Sequence, residues 1–451
     1  MLKKIFNTPT DRDPAPAYPV CPIRESSFPE VFESTLEYNA PARGVWNIVH
    51  TGMLIPESHQ IFICARGCLR GVILTAAEMN AMERMSYVTV EEEDFIAGTM
   101  EDHIAEGVST ILHRMEHKPR AVLVFISCIH MFAGNDMEVI LDSLRAEFPG
   151  ICFTDCYMHP TMRKRMLTPD QTMRKQLYSF LEKQEKKNLR QINIIGNDRV
   201  TISELLPFLE ENSYTVKDIA SETTFDGYKG MEKSFLNLVY LPTALAAGRD
   251  LEKRLGQKLL YLPLCYDLLK IRTHFELLCR ELGLTLPETM LLRKQEEAEH
   301  ALKQALARIG KTTPVEIDYS ATPRPLGLAR LLLETGFNVR RVYVDVLIPE
   351  EKEDWEYLKT HYGDLLLVPT VHPAMRFAHP AEPGQEKILC IGQKAAYFNN
   401  SKHFVDIVAG GGFYGYTQIT RISQLMEEAF ATEKETEIII QHKGWGCESC
   451  L

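Results

Sequence analysis

The sequence has no apolar run of about 18 residues, the length a helix needs to cross a bilayer, and this excludes a helical membrane span. It has no surplus of basic residues either. Fifty lysines and arginines face 61 aspartates and glutamates, a formal net charge of −11. General nucleic-acid binding needs a basic face and is excluded with it. The opening "MLKKIFNTPTDRDPAPAYP" starts with two lysines, but no apolar stretch of about 7–15 residues follows, as a secretion signal requires. It reads as an extended proline-rich arm, and the expected location is the cytoplasm. No G-x-G-x-x-G follows a strand pattern, so dinucleotide binding has no support. "LARIGKTT" (306–313) ends like a phosphate-binding loop at Gly310, Lys311 and Thr312, but Ala305 stands where the first glycine belongs. The segment also follows a helix, whereas a phosphate loop follows a strand. It reads as a helix stopped by glycine. There is no short-period repeat and no low-complexity segment.

What is present is ordinary for a globular protein: 451 residues, 45% hydrophobic and 25% charged, too long for one compact core. An apolar run ends at Cys64 in "HQIFICARGCLRG". Further short apolar or β-branched runs are "AVLVFIS" (121–127), "QINIIG" (191–196), "FLNLVYL" (235–241), "VEIDYS" (315–320), "VRRVYVDVL" (339–347), "DLLLVP" (364–369) and "EKILCIG" (386–392). Helical patterns such as "ISELLPFLEEN", "HFELLCRELG" and "PLGLARLLLETG" lie between them. Strands alternating with helices predict an α/β protein with parallel sheets flanked by helices. The charged stretches "EKQEKKNLR" and "EEAEHALKQALARIGKTTP" divide the chain into three expected Rossmann-like units, 1–188, 189–311 and 312–451.

The eleven cysteines carry the chemistry. An odd total without a secretion signal argues against a disulfide framework. Isolated cysteines such as Cys265, Cys279 and Cys390 are expected to be small buried hydrophobes. Cys68 and Cys128 sit where strands should end, which is where α/β sheets place ligands. Cys64 is four positions from Cys68, and Cys21 reaches the same site if the arm folds back. Thiolates bind the soft iron of a cluster, and a cluster accepts cysteines distant in sequence, even from two chains. Zinc usually takes two close pairs or a Cys/His pair, and 64–68 has no such companion. Cys447 and Cys450 near the end of the sequence have the spacing of a redox dithiol or half a metal site, or form a chance pair in a tail. His50, His59, His130, His159 and His372 are ligands or acids at most; each alone is more often structural. The glycine run Gly410–Gly412 in "IVAGGGFYGY" is either a close approach to a ligand or another chain, or a plain turn before a helix.

Taken together these stretches resemble the nitrogenase component 1 superfamily, whose members include nitrogenase catalytic subunits, cofactor-assembly scaffolds and the catalytic subunits of tetrapyrrole reductases. "ARGC" at Gly67–Cys68 is similar to the family's glycine–cysteine at the end of an early strand, and "ISCIHMFAGND" at Cys128, sixty positions on, to its next strand-end cysteine. "EKSFLNLVYLPTALAAGRDLEKRLGQKLLYLPL" looks like the strand–helix–strand of the second domain. "ATPRPLGLARLLLETGFNV" and "GGGFYGYTQITRISQLM" look like parts of the third. There are departures. Where the family has its first cluster cysteine, ahead of a segment like "PARGVW", this chain has "EYNAP" (37–41). Cys21, Cys64 or a non-thiol ligand such as Glu37 would have to substitute. Leu241 and Val405, the latter near His403, stand where the cofactor-bearing nitrogenase subunit has its cysteine and histidine ligands.

The resemblance implies an oxygen-sensitive iron–sulfur oxidoreductase subunit, in which Cys68 and Cys128, with Cys64 or Cys21, hold a 4Fe–4S or larger cluster. It implies a homodimer or a heterodimer with a related subunit, electrons from a separate iron-protein-like ATPase, and a small-molecule substrate, with no nitrogenase-type active-site cofactor. The catalytic residues are not legible. The alternative is a scaffold that assembles a metal cofactor or tetrapyrrole without turnover; a structural zinc protein is a third. Because Ala305 breaks the phosphate-loop pattern, the purified chain alone is expected to release no phosphate from ATP in a turnover assay. Hydrolysis by the isolated chain would overturn that division of labour.

Overall fold

The structure, a computed structural model, describes residues 19–33, 36–38, 40–42, 44–45, 48–158, 167–196, 200, 202–378 and 386–440. The first described strand, β1 (Cys21–Pro22), belongs to the arm. Three sheets then follow in order. The first holds β2 (Ser58–Cys64), β3 (Met85–Thr89), β4 (Ala121–Ser127) and β5 (Cys152–Met158); the second holds β6 (Asn188–Ile195), β7 (Thr215–Asp218), β8 (Ser234–Val239) and β9 (Lys258–Tyr261). The third holds β10 (Pro314–Asp318), β11 (Asn338–Tyr343), β12 (Leu366–Val368), β13 (Leu389–Ile391) and β14 (Phe404–Val405), with β1 added at its edge. Every pairing is parallel except that of β1 with β12. This is the α/β architecture expected from the alternating runs.

The strand orders are β3-β2-β4-β5, β7-β6-β8-β9 and β1-β12-β11-β10-β13-β14. In each sheet the chain builds outward one way from its first strand and then crosses to the other side. Each therefore has one switch point, between β2 and β4, β6 and β8, and β10 and β13. The two crossovers diverge there and leave a crevice at the carboxyl ends. β2 and β4 are buried along their whole length. Alternation sends Phe62, Cys64, Leu123 and Phe125 into the large core and Ile61, Ile63, Val122, Val124 and Ile126 into a second core on the other face.

Buried polar contacts fasten the second and third sheets together. Arg324, 3% exposed, bonds Glu351 at 3.1 Å and Asp354 at 2.7 Å, and it donates to the Leu264 carbonyl at 3.1 Å. Glu204 accepts from the backbone N–H groups of Tyr416 (2.6 Å) and Thr417 (3.1 Å) at the start of the helix Gly415–Ala431. Gly415 has φ +76°, and a Cβ there would lie 2.2 Å from that carboxylate, so glycine is required. The run Gly410–Gly412, all at positive φ, packs within the chain: Gly410 donates to the Ala321 carbonyl at 2.8 Å, and Tyr414 to that of Ile202 at 3.0 Å. "LARIGKTT" is the end of the helix Glu288–Ile309 with Gly310 at φ +90°, running into β10, the reverse of the strand-to-helix order of a phosphate loop.

One buried and one half-buried imidazole give the fold an acid limit. His59 lies 2.9 Å from Ser86 Oγ, and burial, helped by the Arg84 guanidinium, lowers its pKa to about 4. Burial, with Arg324 and Lys270, lowers His274 equally, to about 4. Their folded values lie below the unfolded value near 6.5, so the stability they contribute is complete above about pH 6.5 and is lost as pH falls toward 4. Denaturation midpoints are expected to drop between about pH 7 and pH 5, with roughly 2–3 kcal/mol at stake per site by pH 4. His59→Gln should flatten that slope; an unchanged slope would assign the acid sensitivity elsewhere.

Candidate functional site

The three switch points share a topology and differ in what fills them. At the second, Gly196 ends β6 against the ring of Tyr240, so close that a Cβ would lie 2.1 Å from it. Tyr240 in turn meets Tyr414 edge-on at 6.0 Å. That crevice is filled by aromatic packing. At the third, Asp318 at the end of β10 is fully buried and accepts from Ser320 N and Ala395 N, each at 2.7 Å. Gly392, at φ +115°, leaves room for this carboxylate, since a Cβ would come within 2.3 Å of it. Here the polar groups bind one another.

The first switch point is different: both strands that border it run out into cysteine. β2 ends at Cys64, and the turn at Ala65 starts the helix Arg66–Glu78, with Cys68 in its first turn and its N–H on the Ala65 carbonyl at 2.9 Å. Cys68 is exposed. β4 ends at Ser127, and Cys128, half-buried, is the first residue of the helix Cys128–Ala133. The start of that helix is fixed by His130, whose Nδ1 accepts from Ser127 N at 3.1 Å. His130 is 1% exposed, so its visible task is to orient the residue that carries the thiol.

The other sequence candidates fall in several places. Cys64 is fully buried on the large-core face of β2, and burial, with Cys68 beside it, pushes its thiol up to about 12. Cys21 pairs with Leu367 on the edge of the third sheet, and its Sγ lies 3.4 Å from the Pro22 carbonyl. Glu37 is exposed in the arm. Cys265, Cys279 and Cys390 are buried core residues, as their isolation suggests. His372 caps the turn Pro373–Phe377 by accepting from Ala374 N at 3.1 Å, and His50 lies in the helix Ile48–Gly52. His159, Cys447 and Cys450 lie outside the described residues. Leu241 and Val405 are 2% and 1% exposed and offer no ligand atom; His403 is held by the Ala429 carbonyl at 3.0 Å.

Sequence reasoning missed one polar cluster. Cys265 Sγ lies 4.0 Å from His274 Nδ1, which is 3.3 Å from the Tyr414 hydroxyl. Burial pushes the Cys265 thiol up to about 12 and His274 down to about 4, so the pair is neutral and not an activated nucleophile. Nothing in the spacing of 265, 274 and 414 signals the contact, because the helix Gly415–Ala431 and its leading loop bring it about.

Among the described residues no three Cys, His, Asp or Glu side chains converge as a metal site.

Residues 49–442 match the family described as Nitrogenase component 1 type Oxidoreductase. No curated protein matches the sequence significantly. The solved structure described as "Nitrogenase Cp1 at pH 6.5" aligns with a TM-score of 0.66 at 13% identity, over 89% of this chain and 95% of that one. Another, "Nitrogenase Cp1 at pH 5", gives 0.60 at 12% identity, over 89% and 91%. Identity this low speaks for the fold alone. The match of the family over almost the whole sequence makes this chain a member of the nitrogenase component 1 type oxidoreductases.

Proposed function

We infer that the chain is an iron–sulfur oxidoreductase subunit that receives electrons from a separate ATP-dependent reductase and delivers them to a small molecule. The observation that carries this reading is the placement of Cys68 and Cys128 at the two sides of the first sheet's switch point, one exposed and one half-buried, while the corresponding crevices of the other sheets are filled. Two thiols fit one part of a cluster's ligand set. A 4Fe–4S or larger cluster then draws further ligands from Cys64 or Cys21 and from a second chain, identical or related, across a pseudo-twofold contact. When bound, such a cluster supplies one-electron transfer.

The chain's own residues do the positioning. The Ser127–His130 cap fixes the direction of Cys128, and the Ala65 turn brings Cys68 back toward the end of β2. Cys64 is favoured over Cys21 as the third thiol because it already neighbours Cys68, whereas Cys21 is committed to the third sheet. Its raised pKa means that ligation must expel a proton, which makes metal uptake through it weaker at low pH. The buried Leu241 and Val405 argue against a nitrogenase-type active-site cofactor. The same two residues suit a scaffold that passes on a metal cofactor or tetrapyrrole. The readings separate when the iron-loaded protein is given reductase and ATP: turnover yields a changed small molecule, whereas a scaffold only releases its cargo.

Cys68→Ala and Cys128→Ala are each expected to abolish iron binding after oxygen-free purification while the protein stays folded, because a lost thiolate ligand matters more than a small cavity, which costs about 1–3 kcal/mol. Full iron content and an unchanged visible spectrum in either variant would sink the assignment. Cys64→Ser should lower the iron count and Cys21→Ser should leave it alone. Should neither change it, the third ligand is not one of these two thiols.

A further inference from the structure

The two helices that carry Cys68 and Cys128 begin differently. The helix Cys128–Ala133 starts on a capping box, with Ser127 and His130 answering each other across its first turn. The helix Arg66–Glu78 starts on Ala65, which offers no side-chain cap. Gly67 and Gly71 follow in its first turns, and glycine is among the poorest helix formers. A Cβ at either position would meet nothing within 4 Å, so packing does not demand them. Of residues 66–71 only Leu69 is buried. The turn that carries Cys68 is by itself the weak end of its helix.

A side chain from outside the helix reaches that turn. Glu91, in the loop after β3, accepts from Arg66 Nε at 2.8 Å. Glu91 is held in place by its neighbours. Its own N–H donates to Asp94 Oδ2 at 2.9 Å, and the N–H of Val90 donates to the Cys64 carbonyl at 3.2 Å. These contacts close a ring. It runs from Cys64 through Ala65 to Arg66, across to Glu91, and back through Val90 to the Cys64 carbonyl. Val90 and Cys64 are buried, whereas the Arg66 and Glu91 side chains are 77% and 49% exposed, so the ring opens first between those two. We propose that Glu91 is a positioning residue for Cys68, acting through Arg66 to hold the first turn of a helix without a side-chain cap. Ser127 and His130 do this for Cys128 from within its own turn; Glu91 does it for Cys68 from the neighbouring strand's end. A thiol that is to meet a metal has to keep its direction while the site is empty. The value of Glu91 to the site rests on the reading of Cys68 as a cluster ligand; the ordering of the turn does not.

Hydrogen exchange of the iron-free full chain, read by mass spectrometry on a peptide holding residues 65–71, tests the ordering. Glu91→Ala should speed exchange there about two- to fivefold, the effect of one exposed ion pair. The peptide holding Cys128–Ala133 should be unchanged. In an Arg66→Ala background Glu91→Ala should add nothing, because the link is already gone. Iron-loaded Glu91→Ala should also surrender its iron to a chelator faster than the wild type, with the melting temperature unchanged. Equal exchange in Glu91→Ala and wild type would overturn the proposal. So would the same acceleration in the Arg66→Ala background, since Glu91 would then act by another route, and so would iron release at the wild-type rate. If the wild type takes up no iron, the cluster reading falls, and the exchange result alone decides whether Glu91 holds the turn.

Discussion

A strand covered by helices on both faces leaves a reactive side chain no place along its length. β2 and β4 are buried throughout, and each of their apolar residues points into one of two cores. A thiol on either strand packs into a core, Cys64 at the very end of β2 included, whereas Cys68 and Cys128 are carried past the last rung into the first turn of the next helix. Parallel pairing then gathers those exits at one end of the sheet, because every strand runs the same way. The same requirement shapes the other two sheets. In the second the exit is closed by Tyr240 over Gly196, and in the third by the Asp318 carboxylate over Gly392.

This requirement also explains which elements the sequence reveals. The runs readable as strands correspond to β2, β4, β6, β8, β10, β11, β12 and β13, all interior to their sheets. β9 showed only through the family's strand–helix–strand pattern ending in "QKLLYLPL", and β3, β5, β7, β14 and β1, the last hidden in the proline-rich arm, gave no run; all six are edges. Interior strands must be apolar on both faces and appear as continuous runs. Edge strands are partly wet and mix polar residues in, as "CFTDCYM" and "TVKD" do, and they lose the signal. The thiols at strand ends were legible because they follow interior strands. Cys265–His274–Tyr414 was not, because its members meet only once the second and third sheets dock.

The docking of the sheets depends on charges that water never reaches. Arg324 is buried with Glu351 and Asp354, and its third contact is the Leu264 carbonyl just past β9 of the second sheet. Burial pushes the Glu351 carboxyl up to about 7 against the pull of that guanidinium. Removing one member of such a group leaves the others charged and dry, which costs more than the group contributes when intact. The contact therefore acts chiefly to fix one arrangement of the two sheets, and with it the Gly410–Gly412 loop that closes over their ends.

The arm that supplies β1 crosses the order in which the chain is made. Cys21–Pro22 pairs with Leu366–Leu367, Leu347 donates to the Pro29 carbonyl at 3.0 Å, and the Trp355 indole donates to Ser26 Oγ at 2.8 Å. All of these partners are synthesised more than 300 residues after the arm. During translation the arm leaves the ribosome before anything exists for it to bind, and the third sheet, once made, lacks an edge until the arm returns. Contacts this distant form slowly, because the loop between them must close first. An exposed parallel edge meanwhile invites pairing with another chain. A nascent chain of this protein therefore depends on the arm and the third sheet finding each other before two copies do.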